Sequence, residues 1–434
     1  LGPISSLQLR TAYGMAGLQP GAFDAFTSYL ALASVGGAGV APNNLGDPDL
    51  KPEVSKELEI GFNAGLFNDK FNLEFTYWDR ITTDALFSRQ FPLSGGFRNP
   101  QLTNVAELEA NGLEINLSGN VIRKGDLTVN AYVNAAYLQE NVKSLGGAPP
   151  LKVGGSYPRY RNYLQEGFAP GANFGAQLAS VPSGSLPIDI ANGDGLPDTN
   201  QQLIAFLTGN GSYSLPTSIG TGSVLLADED GDGDYLDHYL GKSTPDWTGA
   251  FGGSVNYKNW TLNTTFEFKA GNFVINNLTD AFRQANGAIG RNLPRSAKVA
   301  RDYATGGVDA GFTPQGDGNV RLAALDEWLN NTLALAPFSG LNTLEKADFV
   351  RWRELSLNYN ITGSILDQFS LDTASIGLSG RNIAIFTSYT GVDPEINYVG
   401  RGSGSNLDQN FGQGIAAFGW PIPTQVLLTL KVGF

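Results

Sequence analysis

The chain has 434 residues, of which only 16% are charged, below the roughly 25% usual for soluble domains. Its net charge of −13 argues against nucleic acid as a partner, and the absence of cysteine rules out disulfides and thiolate metal sites. Mean hydropathy is −0.13, and no run of eighteen apolar residues occurs, so a transmembrane helix is excluded. A membrane β-barrel escapes that exclusion, because lipid-facing and lumen-facing residues alternate along its strands.

In chain order, Leu7, Leu9, Thr11 and Tyr13 alternate with Gln8, Arg10 and Ala12, a short strand ending at Gly14. A Gly/Ala/Pro-rich loop to about Pro52 separates it from Leu58, Ile60, Phe62, Ala64 and Leu66, which face away from Glu57, Glu59 and Asn63. Asn68-Asp69 turns the chain into Phe71, Leu73, Phe75 and Tyr77, opposite Asn72, Glu74, Thr76 and Trp78. After a loop, Leu113, Ile115 and Leu117 lead through Lys124-Gly125 into Leu127, Val129, Ala131, Val133, Ala135 and Tyr137. A long acidic, turn-rich stretch then runs from Asn141 to Ser243.

The clearest hairpin follows. Trp247, Gly249, Phe251, Gly253, Val255 and Tyr257 share one parity, Lys258-Asn259 turns, and Trp260, Leu262, Thr264, Phe266 and Phe268 continue it. The other parity is small or polar, including Asn263, Glu267 and Lys269. Successive strand residues point to opposite faces, so one face is apolar and one wet. These strands run about ten residues against a usual five to six, with Tyr257 and Trp260 where an interfacial aromatic girdle would lie. A second long loop reaches Lys346, and Leu355, Leu357, Tyr359 and Ile361 form the next strand. Ile376 and Leu378 follow, then a loop, then Val426, Leu428, Leu430, Val432 and Phe434. On this parity Leu262, Phe266, Leu428 and Leu430 point to lipid, and Asn263, Glu267 and Lys431 to the lumen.

Connections alternate long and short, the pattern of bacterial barrels, whose short turns are periplasmic and long loops extracellular. The expectation is an all-β, antiparallel transmembrane β-barrel segment of about ten strands with long extracellular loops. The first strand would run outward, and the C terminus would be periplasmic. Leu1 is not an initiating Met and opens no signal peptide or lipidation motif, which reads as a processed product or the interior of something longer.

Several stretches resemble the SusC/RagA-like TonB-dependent outer-membrane transporters. They are 47–59 (DPDLKPEVSKELE), 67–78 (FNDKFNLEFTYW), 241–260 (GKSTPDWTGAFGGSVNYKNW), 349–359 (FVRWRELSLNY), 381–395 (RNIAIFTSYTGVDPE) and the closing 423–434. Six such stretches in family order span nearly the whole chain. The resemblance implies a barrel of about twenty-two strands, of which residues 1–434 would be the C-terminal part of one barrel domain. Nothing here resembles the plug domain, the TonB-contacting box or the first half of the barrel. The implied function is nutrient import of oligosaccharides or peptides across the bacterial outer membrane. It would be exercised with outer-membrane lipid, a plug, the remaining barrel, a SusD-like lipoprotein, and TonB through the plug. The alternative is a structural barrel subunit or docking platform without transport of its own. No catalytic constellation supports an enzyme.

Among candidate sites, Asp228, Asp230 and Asp232 stand at positions one, three and five of a Ca²⁺ loop with Gly233 at six, and Asp234 and Asp237 could add ligands. Position twelve is Tyr239 where an EF-hand has Glu, so a structural calcium in the 228–237 loop competes with a plain solvated acidic loop. Asn192-Gly193-Asp194-Gly195 is a weaker relative and reads as a turn pair. Gly241-Lys242-Ser243 imitates the end of a P-loop without its βαβ context, and His238, the single histidine, reads as a surface residue. The tryptophans near turns read as interface anchors, leaving Trp328 and Trp420 as ligand-contact candidates. Phe434 resembles the terminal signal recognised by barrel-assembly machinery, and as an interfacial aromatic it joins Tyr257 and Trp260.

Overall fold

The computed structural model describes residues 3–279 and 343–434, apart from 90, 92–93, 95, 98, 100, 154–159, 184, 187–188, 190–195, 200–224, 229, 398–400, 401–410 and 411–412. Ten strands form one sheet: β1 (Ile4–Leu18), β2 (Glu53–Leu66), β3 (Phe71–Arg89), β4 (Gln101–Lys124), β5 (Leu127–Ser144), β6 (Trp247–Tyr257), β7 (Trp260–Ala270), β8 (Phe349–Ile361), β9 (Thr373–Thr387) and β10 (Gln425–Gly433). Each pairs antiparallel with its neighbours in chain order, so β1 and β10 are the two edges and do not pair with each other. The sheet is an unclosed barrel wall.

Local chemistry explains the turns. Phe67, Asn68 and Asp69 all take positive φ, and Gly125 and Lys258 do the same in the next two short connections. The β8–β9 link carries a short helix, α1 (Ser364–Gln368). These four short links lie at one end of the wall, and the five long connections lie at the other.

The wall is inside out relative to a soluble sheet. Leu9, Ile60, Phe251, Leu262, Leu357, Leu378 and Leu428 are all exposed, although they form the apolar parity. The polar parity lies on the hollow side, where Arg10, Glu74, Thr76, Glu114, Asn116, Asn134 and Thr248 line one trough. Water would not tolerate so large a contiguous apolar surface, and lipid would. Register carries aromatics into two rows across this surface. Tyr137 meets Trp247 near the long loops, while Tyr257, Trp260 and Tyr359 align near the short turns. On β6 the rows are ten residues apart, or ~34 Å of strand at ~3.4 Å per residue, and a tilt of about 40° gives ~26 Å of height. An outer-membrane apolar band is about 25 Å tall.

Strands extend beyond their alternating segments. β1 continues past Gly14 to Leu18, and β3 continues to Arg89. The regions read from sequence as loops contain further sheets. A hairpin joins Ser28–Ser34 to Gly37–Asn44; a four-stranded sheet joins Leu151–Lys152, Asn162–Leu164, Ala172–Gly175 and His238–Gly241; and Leu344–Lys346, Val274–Asn277 and Ile415–Ala416 form a third.

Candidate functional site: the lumen wall and its long-loop rim

Above the lipid band the polarity of the wall reverses. Phe87, Ala106 and Val142 lie at the long-loop ends of β3, β4 and β5 and are buried against Leu145 and Leu164. Phe349 at the start of β8 is buried with Phe273, Ile275, Ala347, Tyr389 and Ala416. The loops after β5, β7 and β9 therefore close over the hollow side of the rim. They also lock to one another. Val274 N donates to Lys242 O at 2.9 Å, and Asn162 Nδ2 reaches Gln413 O at 3.3 Å. Asn162 and Asn173 both donate to Ser243 Oγ, at 3.4 and 3.0 Å, inside a fully buried polar knot. Gly414 packs on that serine at φ +73, where an added Cβ would lie 2.5 Å from Ser243 Cβ, so only glycine fits.

A β-bulge builds the most charged part of the rim. Thr265 pairs with Glu354 and Phe266 with Trp352, which leaves Arg353 as an extra residue in β8. The bulge changes parity, so Arg351, Arg353 and Glu354 all serve the hollow side while Trp352 stays on the lipid side, stacked on Phe266 at 5.5 Å. Trp352 Nε1 remains satisfied by Thr264 Oγ1 at 2.9 Å. Arg351 donates to Asp393 Oδ1 at 2.5 Å, and both side chains are about 4% exposed. Its Nε lies 2.5 Å from Glu395 Oε2, an ionic contact in which the N–H is not aligned on the oxygen. Arg353 bridges Glu395 to Glu267 of β7. Asp393 also accepts Glu395 N at 2.9 Å and Ile422 N at 3.2 Å. The network staples the loop before β10 to the wall.

In the acidic loop, Asp228, Asp230 and Asp232 each present a carboxylate oxygen within 4.8 Å of the others. Asp228 caps the turn by accepting Gly231 N at 2.9 Å and Gly233 N at 3.3 Å. Such a set of hard oxygens fits a divalent cation. The structure separates Asp234 and Asp237 from it. Asp234 accepts Leu236 N at 2.9 Å, and Asp237 faces His238 Nδ1 at 3.5 Å. The loop is tied to the body by Arg161, whose buried guanidinium donates to Phe174 O at 2.5 Å and Leu236 O at 3.1 Å. Burial, and then the Arg161 charge, lower the neighbouring Lys152 amine to about 8.

Tyr257 and Trp260 lie in the short-turn aromatic row, and Phe434 follows β10 with its ring exposed. Trp420 is 84% exposed, while Trp328 and the 192–195 turn lie outside the described residues. Trp78 is no interface anchor. Because β3 runs on to Arg89, Trp78 is mid-strand on the hollow side, pressed against Gly112 and 5.2 Å from the Arg80 guanidinium. Sequence reasoning missed Arg351, Asp393 and Glu395, although the RWRE and DPE stretches carrying them were visible.

An apolar outer face between aromatic rows, a polar hollow face and all long loops at one end define a transmembrane β-barrel wall. Residues 3–215 match the family model described as TonB dependent receptor-like, beta-barrel. Over those residues the chain is similar to the TonB-dependent receptor β-barrels, a family of the outer membrane. TonB-dependent receptor P3 of Formosa agariphila is 27% identical over 382 residues, covering 86% of this chain and 34% of that protein. TonB-dependent receptor P39 of the same organism is 22% identical over 460 residues, covering 100% and 41%. The fold also matches the RagAB peptide importer in its closed-closed state, with TM-score 0.65 and 20% identity over 100% of this chain and 41% of that one. The open-open state matches with TM-score 0.65 and 19% identity. The chain thus spans well under half the length of the relatives it matches.

Proposed function

We propose that this chain is the C-terminal part of the barrel of a SusC-like TonB-dependent importer of oligosaccharides or peptides. The observation that carries the reading is the combination of a lipid-type outer face with loops folded inward over the rim of a polar hollow. That arrangement forms part of a gated mouth rather than a bare pore. On this reading the long loops are extracellular and the C terminus periplasmic. A plug fills the lumen and takes the TonB contact, and a SusD-like lipoprotein delivers substrate from outside. The free backbone edges of β1 and β10 support it too. Each unpaired group costs several kcal/mol in hydrocarbon, so further strands complete the wall. Asp228, Asp230 and Asp232 hold a structural calcium that orders the 228–237 loop, and the exposed Trp420 contacts substrate.

The test is uptake of labelled oligopeptides and oligosaccharides by cells with and without the intact receptor, before and after a protonophore. Energy-dependent uptake of one class that is lost with the receptor supports import. A receptor abundant in the outer membrane whose loss leaves uptake unchanged would favour the docking-platform reading.

A further inference from the structure

The lipid-side surface carries cations of two kinds. Near the long loops Lys143 is neutralised, with Nζ 2.9 Å from Glu107 and 2.8 Å from Glu109. At the short-turn end, Lys70, Lys124 and Lys258 make no ion pair among the described residues. The placement of Lys124 is specific. A bulge at Val121 lets Asn120 pair with Asn130 and Ile122 with Val129, which shifts parity and puts Lys124 opposite Leu127 on the lipid side. Without that bulge Arg123 would occupy this face. The row then continues Leu127, Tyr257, Trp260, Tyr359, so Lys124 stands at the end of the aromatic girdle itself.

Lys258 joins it from the adjoining turn, where its N–H reaches Asp126 O at 3.4 Å. Its ammonium sits 5.5 Å from the Tyr257 ring centroid, and that of Lys70 5.6 Å from Phe71. Both are held at the level where rings meet headgroups. Lys124 and Lys258 are about two strand spacings apart, ~10 Å, a span that two lysine side chains can close on one phosphate. The charged groups around them are Asp126 and, beside Lys70, Asp69, with Arg123 on the opposite parity; three lysines thus stand against two carboxylates on this side, in a chain of net charge −13.

We propose that Lys124 and Lys258, flanked by Lys70, bind the phosphate of an anionic phospholipid headgroup at the membrane surface beside the short turns. The proposal rests on the reading of this face as membrane-embedded. Basic residues at such a surface gain from anionic lipid and keep their stems in the apolar layer.

The experiment uses the intact receptor in detergent. Native mass spectrometry counts retained lipid, and thermal unfolding is followed with phosphatidylglycerol, phosphatidylcholine or inorganic phosphate added. Phosphatidylglycerol should be retained and should raise the melting temperature. The double variant Lys124→Gln/Lys258→Gln should weaken the preference for it over phosphatidylcholine by about fivefold per charge removed, and Lys124→Arg/Lys258→Arg should keep it. Equal retention of both lipids, or an unchanged preference in the glutamine variant, overturns the proposal. A phosphate effect as large as the lipid effect overturns the lipid as its source. If the double variant does not assemble, each single glutamine variant should show its own share of the loss, and unchanged singles overturn the idea. The orientation is checked separately with Asn259→Cys in this cysteine-free chain. Labelling of intact cells by a membrane-impermeant maleimide would refute periplasmic short turns while leaving a preference measured in detergent standing.

Discussion

Thr265 and Phe266 are adjacent in β7 yet face different solvents, which makes them a sharp test of the inside-out wall. Phe266 is six residues from Trp260, ~20 Å along the strand and ~15 Å deep after tilt, close to the middle of the band. Its ring stacks on Phe251 at 5.1 Å and on Trp352 at 5.5 Å. Arginine here should cost about 2–4 kcal/mol for the midplane charge. Loss of two stacks should add about 0.5–1.5 kcal/mol each. Thr265 faces the hollow side and shares a hydrogen bond with Tyr132 Oη at 3.0 Å. Arginine at that position should cost only about 1 kcal/mol for the lost bond, since its charge stays in water. The assay is urea-dependent unfolding and refolding of the intact receptor in lipid vesicles, followed by heat-modifiable gel migration. A difference below about 1 kcal/mol between the two variants, or a larger cost at Thr265, would refute the assignment of faces.

Three further outcomes are expected. Asp393→Ala removes a charge-assisted hydrogen bond from buried Arg351 and leaves Glu395 as its remaining ionic partner, so it should destabilise the rim by about 1.5–3 kcal/mol, read as faster proteolysis within 388–424. Unaltered proteolysis would mean the network is idle. Lys152 has a folded amine pKa of about 8, below its ordinary value, so the folded state holds fewer protons than the unfolded state between those values. Local stability should therefore rise with pH from about 8 toward the ordinary lysine range. Acylation of Lys152, followed by mass spectrometry, should show its midpoint near 8; a midpoint at the ordinary lysine value would remove the burial argument. Chelation should speed cleavage between Ala227 and Tyr239, and Asp230→Asn should mimic it; cleavage indifferent to Ca²⁺ would leave a plain acidic loop.

The wall was legible because period-two alternation survives wherever one face meets lipid and the other water. Leu262 against Asn263 and Leu428 against Thr429 needed no tertiary knowledge. Legibility fails where that contrast ends. At Phe87, Val142 and Phe349 the hollow-side position becomes apolar, because a loop rather than water lies over it, and the strand then looks like the start of a loop. Bulges are equally silent, since one extra residue at Val121 or Arg353 reads as an ordinary change of parity. The charged staple joins Arg351 to Asp393, 42 residues away, and the polar knot joins Asn162 to Gln413, 251 residues away. Local patterns carry no trace of such pairings. The acidic loop shows the intermediate case. Spacing identified Asp228, Asp230 and Asp232, but only the fold shows Asp234 turned back onto Leu236 N.

Strands β3, β4, β5 and β8 thus cross two regimes, and the bulges at their long-loop ends mark where one gives way to the other. Within the band the outer face must be apolar and the inner face can be wet. Past it, Lys143, Glu107 and Glu109 make the outer face polar while the inner face joins a core. A regular strand could meet both demands only if its sequence pattern inverted at the same level as the boundary. An extra residue inverts the pattern mechanically. At Arg353 it keeps Trp352 in lipid and turns two arginines inward, one residue before the alternation of Leu355, Leu357 and Tyr359 resumes. The Asp84 irregularity in β3, with φ 55 and its carbonyl held by Asn104 Nδ2 at 2.7 Å, sits just before buried Phe87 and serves the same transition. The shape of the mouth is therefore encoded in a few inserted residues of the wall as much as in the loops. A one-residue deletion at Arg353 would move the whole rim face of β8 to the wrong solvent without touching a loop.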